Sequence, residues 1–275
     1  MKLNSFLVGV VLVLPILGCD KIVEPEEMTY DKKLVISAVL DAGKPIDQVL
    51  IGKTLPPDKP YIPLQAAVTS ANCSISVDGA SYTLTFVGIH DTYGQVNGMA
   101  VYSAQSLVAE PGKVYTIDVQ TEGLHATATT LVPAPPVLDS IVLSNVIVSG
   151  TNYVVLDGQI AQQSGVVYSP AYSYTPSADV PVQNPVFGVG KSSPGYRMRF
   201  RIPVYGFEPS LHDSLTAVIT SYDESYLDYF ATRFNGYGST SDLSQSLAPV
   251  KWNVHGDGIG LFIGAIVTKW KVTIP

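Results

Sequence analysis

The sequence EPGKVYTIDVQ, from Glu110 to Gln120, contains the two signals that define the fold class. Its proline-glycine pair is typical of a tight turn. After the turn, the apolar residues Tyr115, Ile117 and Val119 alternate with polar ones. This period of two predicts a β-strand with one face buried and the other in water.

The flanking sequence repeats this pattern of short strands and turns. Asp78-Gly79 separates the apolar runs 73–77 and 81–87, and this dipeptide is a strong β-hairpin signal. About seven short strands without helical periodicity between residues 33 and 132 predict a β-sandwich.

A proline-rich segment, Val132-Pro133-Ala134-Pro135-Pro136, follows these strands and is typical of a stiff connector. Beyond it, alternation over residues 196–202 predicts another strand. We therefore predict an all-β protein of two tandem β-sandwich domains, immunoglobulin-like or transthyretin-like, over residues 33–132 and 138–275, with a linker at 133–137.

One short helix is predicted near residues 222–234, in the second sandwich. Ser221 and Glu224 have the spacing of a capping box. Tyr226, Phe230 and Phe234 then recur every four residues and form an apolar stripe.

Residues 162–195 show little periodicity and contain several prolines, and we expect an irregular loop there. Tyrosine offers a large, rigid contact surface with a polar tip. Tyr168, Tyr172 and Tyr174 are therefore candidate binding residues. The alternative is that the loop folds these tyrosines onto its own domain.

The first 18 residues predict a signal peptide. Lys2 precedes an uncharged apolar run, Phe6–Leu17, which is too short to span a bilayer. Ile16-Leu17-Gly18-Cys19 resembles a bacterial lipobox, so Cys19 is the predicted site of lipidation and membrane anchoring. A plain secretory signal with a coincidental cysteine is the alternative.

Residues 19–32 combine the lipidated cysteine with an acidic stretch that we interpret as a tether. The acidic residues could instead act as a sorting signal for the cell surface.

The formal net charge is −7 and there is no basic stretch, which argues against nucleic acid as a partner. The chain has two cysteines. Acylation of Cys19 leaves Cys73 without a disulfide partner. We interpret Cys73 as a small buried apolar residue rather than a reactive thiol.

No motif for catalysis, metal binding or a cofactor emerges, and we predict a protein that is not an enzyme. The Gly-x-Ser-x-Gly motif of serine hydrolases is missing, and the four histidines are scattered. His255 and Asp257 are best explained as part of a glycine-rich turn. Acidic residues 223, 224 and 228 favour the start of the helix, with a calcium site as the alternative.

Several segments, in this order along the chain, carry a resemblance to a known family. They are the lipobox Cys19, the Asp41 turn, Glu110–Tyr115, Thr130–Pro133, Ser221–Phe230 and Asn253–Phe262. Together they resemble domain of unknown function 4249, a family of exported lipoproteins from Bacteroidetes-type bacteria.

The resemblance implies an outer-membrane lipoprotein, often encoded beside a TonB-dependent receptor, and it supplies no catalytic residues. The expected function is a binding or accessory module. A structural or adhesion protein and a glycan-active enzyme remain as alternatives, and so do both faces of the outer membrane.

Overall fold

The computed structural model describes residues 30–92, 95–148, 151–173, 197–204, 214–234 and 249–273. The strands are β1 (Leu34–Asp41), β2 (Pro45–Lys53), β3 (Asn72–Val77), β4 (Ala80–Thr83), β5 (Thr85–Thr92), β6 (Gln95–Val108), β7 (Val114–Thr121), β8 (Leu124–Leu131), β9 (Val137–Val148), β10 (Thr151–Ala161), β11 (Val166–Ser173), β12 (Arg197–Pro203), β13 (Ser214–Asp223), β14 (Val254–Gly256) and β15 (Gly258–Thr273). The helices are α1 (Pro63–Ala66) and α2 (Ser225–Phe234).

The strands form three sheets. Sheet A has seven strands in the order β11-β13-β15-β1-β2-β6-β5. Sheet B has the order β14-β8-β7-β3-β4, and sheet C has the order β12-β10-β9. The predicted hairpin at Asp78-Gly79 joins β3 to β4, and both turn residues have positive φ, 50° and 80°. The all-β sandwich prediction is confirmed.

The centre of sheet A joins the two halves of the sequence. β1 pairs in parallel with β15, with Leu34 opposite Gly258 and Asp41 opposite Ala265. β15 then continues beyond β1 and pairs with β13 over Ser214–Tyr222. Because β15 is long enough to pair with both neighbours, the sheet is continuous across the molecule.

Two hydrophobic cores lie along this sheet. The first contains Ile36, Ile51 and Phe262 from sheet A with Ile75 and Ile117 from sheet B. The second combines apolar residues of β10, β11, β13 and the end of β15. Two sandwich cores are therefore present, and sheet A contributes strands to both of them. Residues Lys32–Pro275 form one compact unit.

Helix α2 starts three residues later than the sequence predicted. β13 continues to Asp223, so Ser221 lies in a strand opposite Tyr168 and Ile266 instead of capping a helix. Tyr226 of α2 stacks on Tyr222 of β13, with the ring centroids 4.3 Å apart. Within the described ranges, neither helix has the length and apolar character needed to cross a membrane.

The predicted loop at 162–195 is wrong for its described part. Residues Val166–Ser173 form strand β11 at the edge of sheet A, paired antiparallel with β13. Pro170 is tolerated there because an edge strand has one side that needs no ladder hydrogen bonds. Residues 174–195 lie outside the described residues.

Candidate functional site

Asp223 links three parts of the chain at the point where β13 ends. Its Oδ2 accepts a hydrogen bond from the backbone N–H of Leu131, at 2.7 Å. Its Oδ1 accepts bonds from the backbone N–H of Ser225, at 2.9 Å, and from the Ser225 hydroxyl. Since the first N–H groups of a helix have no partner within the helix, Asp223 stabilises the start of α2 and fixes it to the end of β8.

Asn253 makes a second link beside the first. Its Nδ2 donates to the carbonyl oxygen of Phe262 at 2.6 Å, and its Oδ1 accepts from the N–H of the same residue at 2.9 Å. The side-chain amide thus supplies a donor and an acceptor as a neighbouring strand would. Nδ2 also lies 3.5 Å from the Ser225 hydroxyl oxygen, which connects this pair to the start of α2.

The end of β8 approaches β15 closely at Gly264. The Gly264 N–H donates to Thr130 Oγ1 at 2.7 Å. A Cβ atom at position 264 would lie 2.2 Å from the Leu131 carbonyl oxygen, so only glycine fits between the two backbones. The backbones of sheets A and B are therefore in direct contact at this point, beside the Thr130 hydroxyl.

A cleft of about 450 Å³ opens above these contacts. Its walls come from the start of β7, the end of β8, the start of β11 with the turn before it, the end of β13 and the first turn of α2. The lining residues are Val114, Thr129, Thr130, Leu131, Gly165, Val166, Val167, Asp223, Glu224, Ser225, Leu227 and Asp228. This volume lies within the range of sites for small ligands, about 300–1,000 Å³.

The polar lining of the cleft is rich in hydrogen-bond acceptors. Among the described residues, Asp223, Glu224 and Asp228 line it, and no lysine or arginine does. Asp223 is committed to the backbone bonds described above, whereas Glu224 and Asp228 are exposed. Ionised carboxylates accept hydrogen bonds but cannot donate them, so the cleft favours a ligand that presents N–H or O–H groups.

A group of aromatic side chains lies beside the cleft. Asp228 pairs with Lys251, with Oδ2 and Nζ 3.5 Å apart, and the next residue, Trp252, is 39% exposed. The Trp252 and Tyr229 rings are 5.5 Å apart, and Tyr226 lies 6.3 Å from Tyr229. The aromatic cluster Tyr222, Tyr226, Tyr229, Phe230 and Trp252 thus continues from the cleft rim along α2.

Two of the three candidate binding tyrosines belong to the protein core. Tyr168 and Tyr172 are 0% and 1% exposed and pack in the second core. The Tyr168 hydroxyl accepts a hydrogen bond from the Gln163 N–H at 2.9 Å. Burial raises the pKa of Tyr168. These tyrosines therefore fold onto their own domain, as the alternative interpretation stated. Tyr174 and Cys19 lie outside the described residues.

The other candidate groups are structural. His255 lies in β14 opposite Thr127, and Asp257 lies in the bend between β14 and β15. Asp257 Oδ2 accepts from the His125 N–H at 3.0 Å, and the Asp257 N–H donates to the His125 carbonyl. Cys73 is a buried free cysteine, and burial raises the pKa of its thiol to about 12. Within the described ranges, no three His, Cys, Asp or Glu side chains are placed to hold a metal ion.

A protein-family model covers most of the chain. The family model for a domain of unknown function, DUF4249, matches residues 20–269. The chain belongs to the DUF4249 family. No curated protein matches the sequence.

The sequence segments that carry the DUF4249 resemblance lie close together in the structure, around the cleft. The Thr130–Pro133, Ser221–Phe230 and Asn253–Phe262 segments, which carry the resemblance in the sequence, meet through Asp223, Asn253 and Gly264. Glu110–Tyr115 joins them, because the Gly112 N–H donates to the Val132 carbonyl at 2.7 Å.

Sequence reasoning missed the role of Asp223 as a link between strands. The sequence predicts this residue as an acid that favours a helix start, with a calcium site as the alternative. Asp223 and its partner Leu131 are 92 residues apart. No local pattern connects two positions so far apart, although the acidic cluster itself was a visible signal.

Proposed function

We propose that this DUF4249 protein is a lipid-anchored binding module of the outer membrane. Cys19 carries the anchor, and the cleft beside α2 takes up a ligand that is passed to a TonB-dependent receptor. The observation that carries the proposal is the cleft itself, walled by five elements of a β scaffold and lined by exposed carboxylates. The lipobox pattern supports the anchor.

The cleft chemistry favours binding over hydrolysis. A glycosidase needs one carboxyl group kept protonated, commonly by burial, and a second one ionised. Asp223 is held by backbone N–H groups, Glu224 is exposed and Asp228 is exposed beside Lys251. These groups suit the recognition of hydroxyl or ammonium groups through hydrogen bonds.

Ligand capture can be tested with a double variant, Glu224→Gln with Asp228→Asn. The amide side chains keep the shape of the cleft but remove both exposed negative charges. Small molecules that copurify with the protein from gently solubilised envelopes are identified by mass spectrometry. We expect a polyhydroxylated or cationic compound to copurify with the wild-type protein. Its recovery should fall at least tenfold with the double variant, because charge-assisted hydrogen bonds contribute about 1.5–3 kcal/mol.

Asp58→Asn serves as the matched control, because Asp58 is exposed and lies outside the cleft lining. It should retain the compound. Equal recovery from wild type, control and double variant would contradict the cleft assignment.

The anchor and the partner need separate experiments. Cys19→Ala should move the protein from the membrane pellet to the soluble fraction, and unchanged fractionation would contradict the anchor. Affinity purification from native envelopes should recover a β-barrel receptor. If only a free monomer is recovered and no ligand copurifies, a structural or adhesion role replaces the binding module.

A further inference from the structure

An apolar protrusion occupies the connection between β2 and β3. Within four residues, Tyr61 is 63% exposed, Ile62 is 45% exposed and Leu64 is 64% exposed. Single exposed apolar side chains are ordinary on a protein surface, but clusters of them mark contact sites. We call Tyr61, Ile62 and Leu64 the apolar protrusion.

The base of the protrusion is firmly attached to sheet A. An isolated bridge pairs Gly52 with Ala67, so the chain leaves and returns at one place. Gly98 lies directly below, because a Cβ atom there would come within 2.6 Å of the Pro63 carbonyl oxygen. Ala66 and Val68 at the base are both 3% exposed. The exposed side chains are thus presented by packed backbone.

The protrusion lies at the end of the molecule where the chain enters the folded body. Leu34, the first residue of β1, is opposite Lys53, the last residue of β2. The Thr54 N–H donates to the Lys33 carbonyl at 2.9 Å, and the Lys33 N–H donates to Thr54 Oγ1 at 3.0 Å. The protrusion therefore begins directly beside the point to which residues 20–32 lead.

Lysine residues surround the same end. Lys32 Nζ lies 2.9 Å from Glu122 Oε2, and Lys53 Nζ lies 3.3 Å from Glu122 Oε1. The hydrogen bond from Lys32, followed by the one from Lys53, lowers the pKa of Glu122, so this carboxylate stays ionised. Lys59 lies in the protruding segment itself and is exposed. Two ammonium groups share the Glu122 carboxylate, and the exposed Asp58 adjoins Lys59, so lysines and carboxylates lie together around the protrusion.

We propose that the apolar protrusion inserts into the surface of the bilayer that holds the acyl chains of Cys19. Tyrosine and aliphatic side chains flanked by lysines are the residues that favour the interface between lipid and water. This inference rests on the anchor in the proposed function. It adds a second membrane contact, made by the folded body.

The tether keeps the apolar protrusion close to the bilayer, so a contact that is weak by itself can persist. Residues 20–32 form a chain of 13 residues between Cys19 and the body. A chain of this length reaches at most about 45 Å when fully extended. The anchored body therefore stays within reach of the lipid, and contact becomes an intramolecular event with a high effective concentration.

The second contact would orient the ligand cleft away from the bilayer. β1 spans about 23 Å from Leu34 to Asp41, given about 3.3 Å per residue. At its far end the Ala42 N–H donates to the Ala265 carbonyl, and Ala265 is opposite Tyr222 beside the cleft. The protrusion and the cleft thus lie at opposite ends of β1.

The test places an environment-sensitive NBD group at Ile62→Cys in the full acylated protein. The protein is reconstituted into vesicles of phosphatidylethanolamine and phosphatidylglycerol. We expect a blue shift of the emission and strong quenching when brominated lipids replace ordinary ones. Val114→Cys is the matched control, because Val114 is 53% exposed and lines the cleft. It should show neither effect.

The outcomes separate this proposal from the anchor. If the protein floats with the vesicles but the Ile62 probe is neither shifted nor quenched, the membrane contact of the protrusion is overturned and the anchor stands. If the protein does not float, both are overturned. A probe that is silent in vesicles but shielded in native envelopes would assign the protrusion to a protein partner and overturn the lipid contact. A thermal melt of the labelled variant by circular dichroism checks its folding.

Discussion

Asn253 shows how one side chain can replace part of a sheet. Its amide pairs with both backbone groups of Phe262, at 2.6 Å and 2.9 Å, next to the start of β15. Phe262 is fully buried in the first core. The amide therefore holds the segment before β14 against the strand that completes sheet A.

Asn253→Ala should destabilise the protein by about 1–3 kcal/mol, because two backbone groups lose their hydrogen-bond partner in a partly buried position. The measurement is urea denaturation followed by fluorescence. Asn253→Asp keeps an acceptor for the Phe262 N–H and loses the donor, so its midpoint should fall between those of wild type and the alanine variant. Equal midpoints for all three proteins would refute this assignment.

Cys73 gives a prediction that depends on pH. Burial, and to a smaller extent the negative charge of Asp118, raises the pKa of its thiol to about 12. An unfolded cysteine has a pKa of about 8.5. Because the folded pKa is the higher one, this group contributes its full stability below about pH 8.5 and loses it progressively as the pH rises towards 12.

At pH 8, Cys73 should therefore resist iodoacetamide in the folded protein and react once urea unfolds it. Mass spectrometry of peptides from the alkylated protein measures the modified fraction of Cys73. Rapid alkylation of the folded protein would contradict the buried, protonated state.

At the level of elements, the start of α2 depends on Asp223. Removing this carboxylate leaves the N–H groups of Leu131 and Ser225 without their acceptor. Asp223→Ala should cost about 2 kcal/mol, the sum of a lost cap and a lost bond between strands. Chemical denaturation measures it. Glu224→Ala is the control and should change stability by less than about 0.5 kcal/mol, because the side chain is exposed.

Strands with one buried face were predictable from sequence, and strands buried on both faces were not. β7 alternates, because Tyr115, Ile117 and Val119 are buried while its other face is partly exposed. β11 is buried on both faces, so its sequence, VVYSPAYS, does not alternate between apolar and polar residues. Its proline, Pro170, also argues against a strand. Tyr168 and Tyr172 were consequently assigned to a loop.

The predicted start of α2 was wrong for a different reason. Ser221 and Glu224 have the correct spacing for a capping box, but pairing of Ser221 with both β11 and β15 extends the strand through that position. Tertiary pairing overrides such local signals.

The acidic residues of the cleft could be identified from the sequence. Their position beside Leu131 and Gly165 could not, because it depends on contacts between distant residues.

At the level of the whole molecule, the shared sheet predicts that the first half cannot fold alone. β15 supplies the parallel partner of β1, and Phe262 fills part of the first core. A fragment of residues 33–132 would expose one edge of β1 along its full length, together with the core side chains that Phe262 covers.

We expect this fragment to show no cooperative urea transition, whereas residues 33–275 unfold cooperatively. Near-ultraviolet circular dichroism and the slope of the transition make the comparison. A cooperative transition in the fragment would instead support two independently folding domains.

The parallel pairing of β1 with β15 also has a consequence for biosynthesis. The ribosome makes β15 last among the strands of sheet A, yet this strand lies beside the first one. Contacts between such distant positions make folding slow, on a scale of about milliseconds to seconds. The nascent chain therefore keeps the centre of its seven-stranded sheet incomplete until synthesis of β15.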